Sequence, residues 1–188
     1  MGKREDILDA ALAIVSRDGI QSLTMAKIQD QAGVGSGTMY NYFDGKETLL
    51  RALYQDAMRR MNDRVLGGYQ LTGEVKVDFE ALMRRFLDYS VEFFDQFNFT
   101  DQYSFFVRDA AAADGSDDQG HLFGASKAIL TAGQAQGLVK DIDVALLQRI
   151  VSGVIVAVAA SFYFGDLPAD EPAKTQIVAA CWDAIRAA

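Results

Sequence analysis

A chain of 188 residues, half of them hydrophobic, can bury a full core, so the sequence predicts one or two globular domains rather than disorder. Cys181 is the only cysteine, which excludes an intrachain disulfide, and the charged first residues lack a signal peptide's apolar stretch, so we expect a cytoplasmic protein. The net charge of −8 disfavours nucleic-acid binding over the whole surface, but residues 1–64 hold nine Lys and Arg and nine Asp and Glu. All of the excess acid therefore lies in residues 65–188, which leaves the N-terminal end able to bind DNA.

The first part of the chain predicts three helices in close succession. Apolar residues at helical spacing give one buried face to a helix over about 4–17, which Gly19 would end. Thr24 can cap a short second helix, and Gly33 can adopt a left-handed turn after it. A third short helix is expected over about 36–42.

The rest of the chain continues the helical pattern. A fourth helix is expected to begin with Asp44 as its N-cap, with Glu47 completing a capping box. Glycines at 67, 68 and 73 and the acidic run 114–120 mark loops, and strand-like alternation is hard to find. The fold class is therefore predicted to be all-α, with later helices over about 79–97, 122–137, 143–164 and 170–187.

The predicted third helix carries mainly polar side chains, whereas each neighbouring helix has a continuous apolar face. Two short helices joined by a glycine turn are common, so residues 24–43 are only moderate evidence for a helix-turn-helix. Small residues at 35–37 would let the helix N-terminus approach a phosphate or a groove edge. From the residues alone, packing roles for Tyr40 and Tyr42 and a capping role for Ser36 fit equally well.

The stretch 4–50 resembles the TetR family of transcriptional regulators. It contains ILDAALAIVSRDG, then SLTMAKIQDQAGVGSGTMYNYF and DGKETLL, and some forty-five consecutive positions agree with the family in type and spacing. The resemblance implies a three-helix DNA-binding domain over 1–47, with the helix-turn-helix at about 24–43, and a helical ligand-binding and dimerisation domain over 48–188. It also implies a repressor rather than an enzyme, whose partners are double-stranded operator DNA, a small-molecule effector and a second copy of the chain.

The resemblance assigns two kinds of DNA contact. Thr24, Tyr42 and Lys46 would hold phosphates and position the domain, and Lys27 would add a further phosphate contact. Six further residues are expected at or near base edges, where an asparagine can pair with adenine and a threonine can contact the methyl group of thymine. Those residues are Gly35, Ser36, Gly37, Thr38, Tyr40 and Asn41. Gln29 replaces the small residue usual at its position, so it would either loosen the packing of the second and third helices or turn outward.

Aromatic residues crowd the segment 86–106. Core packing is the simplest explanation for each of them, but nine exceed what sealing a small helical domain requires, so we also expect a pocket for a large, flat or hydrophobic ligand. Arg84, Arg85 and Arg108 could pair with a ligand carboxylate, although solvent exposure is the commoner fate of such residues. The candidate pocket residues are Phe86, Tyr89, Phe93, Phe94, Phe97, Tyr103 and Phe106.

Two apolar helices near the C-terminus predict a homodimer. The run 150–164 is apolar on nearly all sides but shorter than the ~20 residues of a membrane helix, so it is expected in an interface rather than in a membrane. If this helix and the last helix pair with the same two helices of a second copy, they form a four-helix bundle, and the two-fold dimer predicts a palindromic operator. The alternative is that a third helix of the same chain covers the apolar face. The candidate interface residues are Val151, Val154, Ile155, Val158, Phe162, Ile177, Cys181 and Ile185.

No catalytic set, cofactor site or metal site emerges from the sequence. His121, the only histidine, lies beside Asp114, Asp117 and Asp118, but this spacing matches no metal-ligand pattern and a solvated loop is expected. The competing interpretation is an all-helical small-molecule-binding or enzymatic domain whose first helices only resemble a helix-turn-helix. It explains the acidity more easily, but not the gathering of polar residues on the third helix.

Overall fold

The computed structural model describes residues 2–111 and 122–187, and of residues 105–111 it describes the backbone only. Within these ranges the chain is built from α-helices with no β-strand, which confirms the predicted all-α fold. A short 3₁₀ turn, Ile20–Ser22, follows the first helix. The helices are α1 Lys3–Asp18, α2 Met25–Ala32, α3 Ser36–Tyr42, α4 Lys46–Leu66, α5 Val75–Glu92, α6 Phe94–Ala111, α7 Leu122–Ala135, α8 Val144–Phe164 and α9 Glu171–Ile185.

The described residues pack into two compact units. Unit 1 contains residues 2–60 and 95–111, and unit 2 contains residues 61–94 and 122–187. Helix α4 contributes its first two-thirds to unit 1 and its end to unit 2. The boundary expected after residue 47 therefore falls just inside α4, and as a division of function it stays a prediction.

The core of unit 1 holds the first three helices together with parts of α4 and α6. Helices α1 and α4 each contribute a buried apolar stripe at helical spacing, whereas α2 and α3 each contribute one buried side chain, Ile28 and Met39. Phe99 and Tyr103 of α6 complete this core, with stacked rings whose centroids are 5.4 Å apart, and Tyr54 of α4 lies 5.8 Å from Tyr103. The most buried members are Ile7, Leu8, Ala11, Ile14, Leu23, Ile28, Met39 and Leu49.

Helix α5 lies at the centre of unit 2 and packs against α7, α8 and α9. A glycine on α7 permits the close approach: a Cβ at Gly133 would lie 2.4 Å from Cγ2 of Val139 and 2.9 Å from Cγ1 of Val75. Since both neighbours are buried, β-branched side chains, there is little room for them to move. Gly133 thus sets the spacing between α7 and the start of α5.

The segment between α4 and α5 is fixed by side chains of α5. Arg85 donates hydrogen bonds to the carbonyl oxygens of Val65 and Gly67, and so satisfies acceptors at the C-terminus of α4. The carboxylate of Asp78 accepts hydrogen bonds from the Thr72 N–H and hydroxyl at 2.8 Å and from the Gly73 N–H at 3.0 Å. This loop is therefore held at both ends.

Burial and hydrogen bonding shift the pKa of the Asp78 carboxyl in opposite directions. Its side chain is only 4% exposed, and burial raises the pKa of its carboxyl, but the hydrogen bonds from Thr72 and Gly73 together outweigh this and lower the pKa. Nearby, the Tyr69 hydroxyl donates to the carbonyl oxygen of Asp78 at 2.8 Å, and burial raises the pKa of Tyr69 to about 12. Both groups keep their usual charge at neutral pH.

The predicted helix starts are right for α2 and wrong for α4. The Thr24 hydroxyl oxygen accepts the Lys27 N–H at 3.3 Å, as expected of an N-cap. Helix α4 begins at Lys46, and its first backbone hydrogen bond runs from the Leu49 N–H to the Gly45 carbonyl. Gly45 therefore occupies the cap position expected for Asp44, because the chain makes its bend one residue later.

Candidate nucleic-acid interface

Helices α2 and α3 are joined by a tight turn at Gly33. This glycine has φ +63° and ψ 37°, the left-handed conformation that the sequence predicts, and nothing lies within 4 Å of where a Cβ would stand. The Gly33 and Val34 N–H groups both donate to the Gln29 carbonyl, which closes the end of α2. The turn aims α3 away from α2 and leaves most of its surface free.

Helix α3 is attached to unit 1 chiefly through one side chain. Met39 is fully buried, and it is the one buried residue of this helix. Tyr40 is 54% exposed and Tyr42 46% exposed, so both rings are about half open to solvent. Most of the helix therefore presents hydroxyl, amide and aromatic groups to solvent rather than to the core.

The structure brings the ten predicted DNA-contact residues together around α2, α3 and the start of α4. Thr38 and Lys46 are half-buried and the other eight are exposed. Their roles toward phosphates and bases stay predictions. The exposed ones are Thr24, Lys27, Gly35, Ser36, Gly37, Tyr40, Asn41 and Tyr42.

Gln29 does not follow either of the two expected outcomes. It is half-buried, and its Oε1 accepts a hydrogen bond from the Ser36 hydroxyl at 3.2 Å, so it links α2 to α3. Sequence reasoning missed this pairing because the two residues lie on different helices. The signal was the presence of a long amide where a small side chain is usual.

The cations of unit 1 fall into two groups. Arg17, Arg51 and Arg60 are engaged in ion pairs with carboxylates of the same unit. Lys27 and Lys46 form no ion pair among the described residues, although Lys27 lies within electrostatic range of the Asp18 carboxylate. The Lys46 ammonium donates instead to the Ile20 carbonyl at 3.2 Å. Lys27 and Lys46 thus keep positive charge available beside α3.

Comparison with protein families identifies this arrangement. Residues 7–53 match the family model described as bacterial regulatory proteins, tetR family, and residues 54–187 match the tetracyclin repressor-like C-terminal domain. The chain belongs to the TetR family. The members of this family are described as bacterial regulatory proteins.

Known proteins resemble this TetR-family chain in part or in fold. The fatty acid metabolism regulator protein of Bacillus subtilis (strain 168) is 36% identical over 63 residues, 34% of this chain and 32% of the relative. The HTH-type transcriptional repressor KstR2 of Rhodococcus jostii (strain RHA1) is 29% identical over 94 residues, 50% of this chain and 44% of the relative. These matches span less than half of each relative's length. A TetR family transcription regulator from Marinobacter aquaeolei VT8 shares the fold, with a TM-score of 0.80, 20% identity and coverage of 99% of this chain and 96% of that one.

The predicted pocket aromatics are distributed over both units. Phe86, Tyr89 and Phe94 are buried in unit 2, Phe93 is half-buried there, and Phe97 and Tyr103 are buried in unit 1. The side chain of Phe106 lies outside the described residues. Phe86 borders a cavity of about 20 Å³, which is room for about one water molecule. A ligand at this place would require the surrounding side chains to move, and the pocket stays a prediction.

The arginines considered for a ligand carboxylate are engaged elsewhere. Arg84 pairs with Asp88 and Glu171, and its hydrogen bond to Glu171, aided by the one to Asp88, raises its pKa. Arg85 binds the end of α4. The side chain of Arg108 is outside the described residues, as are His121 and the acidic residues 114, 117 and 118. Within 2–111 and 122–187, no cluster of His, Cys, Asp and Glu could hold a metal ion.

The residues of the predicted dimer interface, which stays a prediction, differ in how much surface a single chain leaves exposed. Five of the eight residues are at most 8% exposed within a single chain, because they pack into the core of unit 2, and so they have almost no surface left to bury against a partner. Val158 and Ile177 are half-buried, and Val154 is 36% exposed. The five buried residues are Val151, Ile155, Phe162, Cys181 and Ile185.

A different stripe of α8 is exposed. It follows the helical spacing 146, 150, 153, 154, 157 and 164, and its large members are Leu146, Ile150, Val154 and Phe164, the last of which is 72% exposed. By length and composition, α8 is also the one described helix that could cross a membrane. Sequence reasoning missed the stripe because both sides of α8 are apolar, so helical spacing does not show which side faces solvent.

Proposed function

We propose that this regulator is a repressor that binds a palindromic operator as a homodimer and is released by a small, hydrophobic or aromatic ligand. The exposed polar surface of α3 carries the DNA-binding part of this proposal. A short helix whose one buried residue is Met39 can enter a major groove without disturbing the core of unit 1. Residues 1–47 would bind DNA, and residues 48–188 would bind the ligand and the second copy, in the cytoplasm.

The proposed contacts divide by chemistry. Thr24, Lys27, Tyr42 and Lys46 would position the helix on phosphates, whereas Thr38 and Asn41 would read base edges. Ser36 and Tyr40 would lie beside them, and the glycines at 35 and 37 would let the backbone approach the groove.

A binding assay against the DNA flanking the protein's own coding region tests this division at stated salt. Asn41→Ala and Thr38→Ala are each expected to cost about 1–3 kcal/mol on the preferred site and little on random DNA. Equal losses on both DNAs would demote these residues to backbone contacts. No binding to any flanking fragment would favour the alternative of a helical domain that does not bind DNA.

The exposed stripe of α8 supports the homodimer. A monomer would leave Leu146, Ile150, Val154 and Phe164 in water on one continuous face, and exposed apolar patches of this kind mark interaction sites. Gly153 and Ala157 lie on the same face and would let a second helix approach closely. Exposed alanines of α9 at 179, 180 and 184 would form the companion surface of a four-helix bundle.

Light scattering and operator binding test this interface together. The double variant Ile150→Glu, Ala157→Glu places charges on the exposed stripe without touching the core, and a soluble monomer that no longer binds the palindrome is expected. Val77→Glu is the control, because Val77 is a comparably exposed apolar residue, 47% exposed, on a different helix, α5. A double variant that remains dimeric excludes this interface.

A hydrophobic or aromatic ligand is proposed from the aromatic content of residues 86–106. The Bacillus subtilis relative is named for fatty acid metabolism, which is compatible with an apolar effector. A thermal-shift screen of apolar and aromatic compounds, followed by release of operator DNA by each hit, tests the proposal. A screen without any stabilising compound would remove its support.

A further inference from the structure

A groove of about 1210 Å³ lies in unit 2, outside the aromatic core. One wall is the end of α4 and the segment after it, from Leu66 to Leu71, and the other wall is the outward side of α7. Ligand pockets usually measure about 300–1,000 Å³, so the groove is large enough for a small organic molecule. None of the predicted pocket aromatics whose side chains the structure describes lines it.

The two sides of α7 explain why a groove forms there. The inward side carries Leu122, Ile129 and Leu130, which are buried in unit 2. The outward side carries short side chains from Gly124 to Ala135, so it leaves a trough along the helix. At 1.5 Å per residue this trough is about 16 Å long, which suits an extended molecule better than a compact one.

The opposite wall is fixed before any ligand arrives. Tyr69 is tied to α5 through the Asp78 carbonyl, and Arg85 holds the carbonyl of Gly67 at 2.6 Å. The buried carboxylate of Asp78 orders the backbone of Thr72 and Gly73 just beyond Leu71, which is itself 54% exposed. A wall that is already ordered loses little conformational entropy on binding.

The charge of the groove differs from that of the whole chain. Among the described residues Lys127 is its one charged lining residue, although the chain has 26 Asp and Glu and a net charge of −8. Lys127 is exposed and has no ion-pair partner among the described residues. The other polar side chains of the described lining, those of Tyr69, Gln70 and Thr131, are neutral, and the Tyr69 hydroxyl is already bonded to the Asp78 carbonyl. An apolar trough with a single free ammonium group is complementary to an amphipathic anion.

We propose that this groove binds an organic acid with an extended apolar body, whose carboxylate or similar anionic group pairs with Lys127. The apolar body lies along Ala128 and Ala132 and against Leu71. The inference deepens the proposed function by naming a site and a ligand class, and it rests on that function only for the release of DNA. The binding step itself does not depend on an operator.

Calorimetric titration of the full chain with dodecanoate, below its micelle concentration, tests the site. Ala128→Trp fills the trough and is expected to weaken binding by at least about tenfold, whereas Ala128→Ser leaves the volume open and is expected to bind like the parent. Lys127→Gln is expected to weaken the binding of dodecanoate by about three- to fivefold, because an exposed charge pair contributes little. The binding of the neutral dodecan-1-ol should not change. Thermal melts of each variant establish that it is folded.

The outcomes separate the groove from the proposed function. Saturable binding with the expected order of variants supports the site, even if no operator is found. Absence of dodecanoate binding, equal binding by Ala128→Trp and the parent, or equal losses in Ala128→Trp and Ala128→Ser overturns it. If another compound releases operator DNA from the parent and from Ala128→Trp alike, the proposed function stands and the groove is not its effector site.

Discussion

The hydroxyl of Ser36 donates a hydrogen bond to Oε1 of Gln29 across the turn between α2 and α3. Ser36 is the first residue of α3 and an expected neighbour of base edges, whereas Gln29 lies in α2. The bond therefore fixes the direction of a hydroxyl group at the proposed DNA surface. It also leaves the Gln29 side-chain amide able to donate a hydrogen bond of its own.

Gln29→Ala is expected to lower operator affinity by about 0.5–1.5 kcal/mol, the usual net value of one hydrogen bond. Ser36→Ala should cost a similar amount. Because both variants remove the same bond, the double variant should lose less than the sum of the two. Fluorescence anisotropy with a labelled operator measures all four proteins, and strictly additive losses would mean that the two side chains act independently.

Lys46→Ala is expected to weaken binding about equally on operator and random DNA, because a phosphate contact carries no sequence information. The slope of log affinity against log salt should flatten by about one unit. Lys76→Ala, which removes a lysine paired with Glu80 in unit 2, is the control and should change neither quantity. Since Lys46 also binds the Ile20 carbonyl, a thermal melt accompanies the titration. Full affinity and an unchanged slope would contradict the assignment.

Asp78→Asn is expected to destabilise the protein by about 1–3 kcal/mol at pH 7, because the amide cannot accept all the hydrogen bonds from Thr72 and Gly73. The lowered pKa of the carboxyl in the folded state means that its stabilisation is present above the unfolded value of 3.8 and is lost as pH falls through the folded pKa. Urea unfolding at pH 7 and in acid should show the parent and the variant converging. Glu80→Gln, at an exposed pair, should change little, and a constant gap down to strong acid would contradict the argument.

Gly133→Ala is expected to destabilise the fold by about 1–3 kcal/mol, although alanine is the better helix former, because the new methyl group meets Val139 and Val75. Val139→Ala removes the nearest methyl group. In that background the cost of Gly133→Ala should fall, which a double-mutant cycle by urea unfolding can measure. An unchanged cost would show that the contact with Val139 is unimportant.

Iodoacetamide is expected to leave Cys181 unmodified in the folded protein at pH 8 and to modify it in urea. Cys181 is 1% exposed, and burial raises the pKa of its thiol to about 11. The reagent therefore cannot reach the sulfur, and at pH 8 almost none of the thiol is in the reactive thiolate form. The monomeric variant Ile150→Glu, Ala157→Glu should be protected equally, because the burial of Cys181 is within its own chain. Rapid modification of that variant would instead place Cys181 in the interface.

The first three helices could be predicted because they are specified by residues that lie close together in the sequence. Thr24, Gly33 and the spacing of apolar residues specify α1 to α3 through interactions within a few residues, and the structure places these elements within about two residues of the predicted positions. The exposed surface of α3 follows from the same pattern. The start of α4 was wrong by one residue, because both Asp44 and Gly45 can begin a helix and only the tertiary fold selects one.

The exposed face of α8, the division of the aromatics and the groove could not be predicted, because they depend on contacts between residues distant in the sequence. On α8 both faces are apolar, so periodicity does not say that Ile155 faces the core while Ile150 faces solvent. The aromatics of α5 and α6 form one dense stretch, yet they divide between two units whose packing is not encoded in spacing. The groove beside α7 depends on where residues 66–71 pass, which a sequence pattern does not reveal.

Phe99 and Tyr103 of α6 belong to the core around the DNA-binding helices, although they follow those helices only after all of α4 and α5. A ribosome therefore completes α1 to α3 long before it supplies the rings that cover them, and the nascent chain carries an open apolar surface in the meantime. A fragment ending after α4 would keep that surface permanently. Premature stop codons before residue 99 should thus yield insoluble or degraded products, and not a shortened protein that competes for the operator.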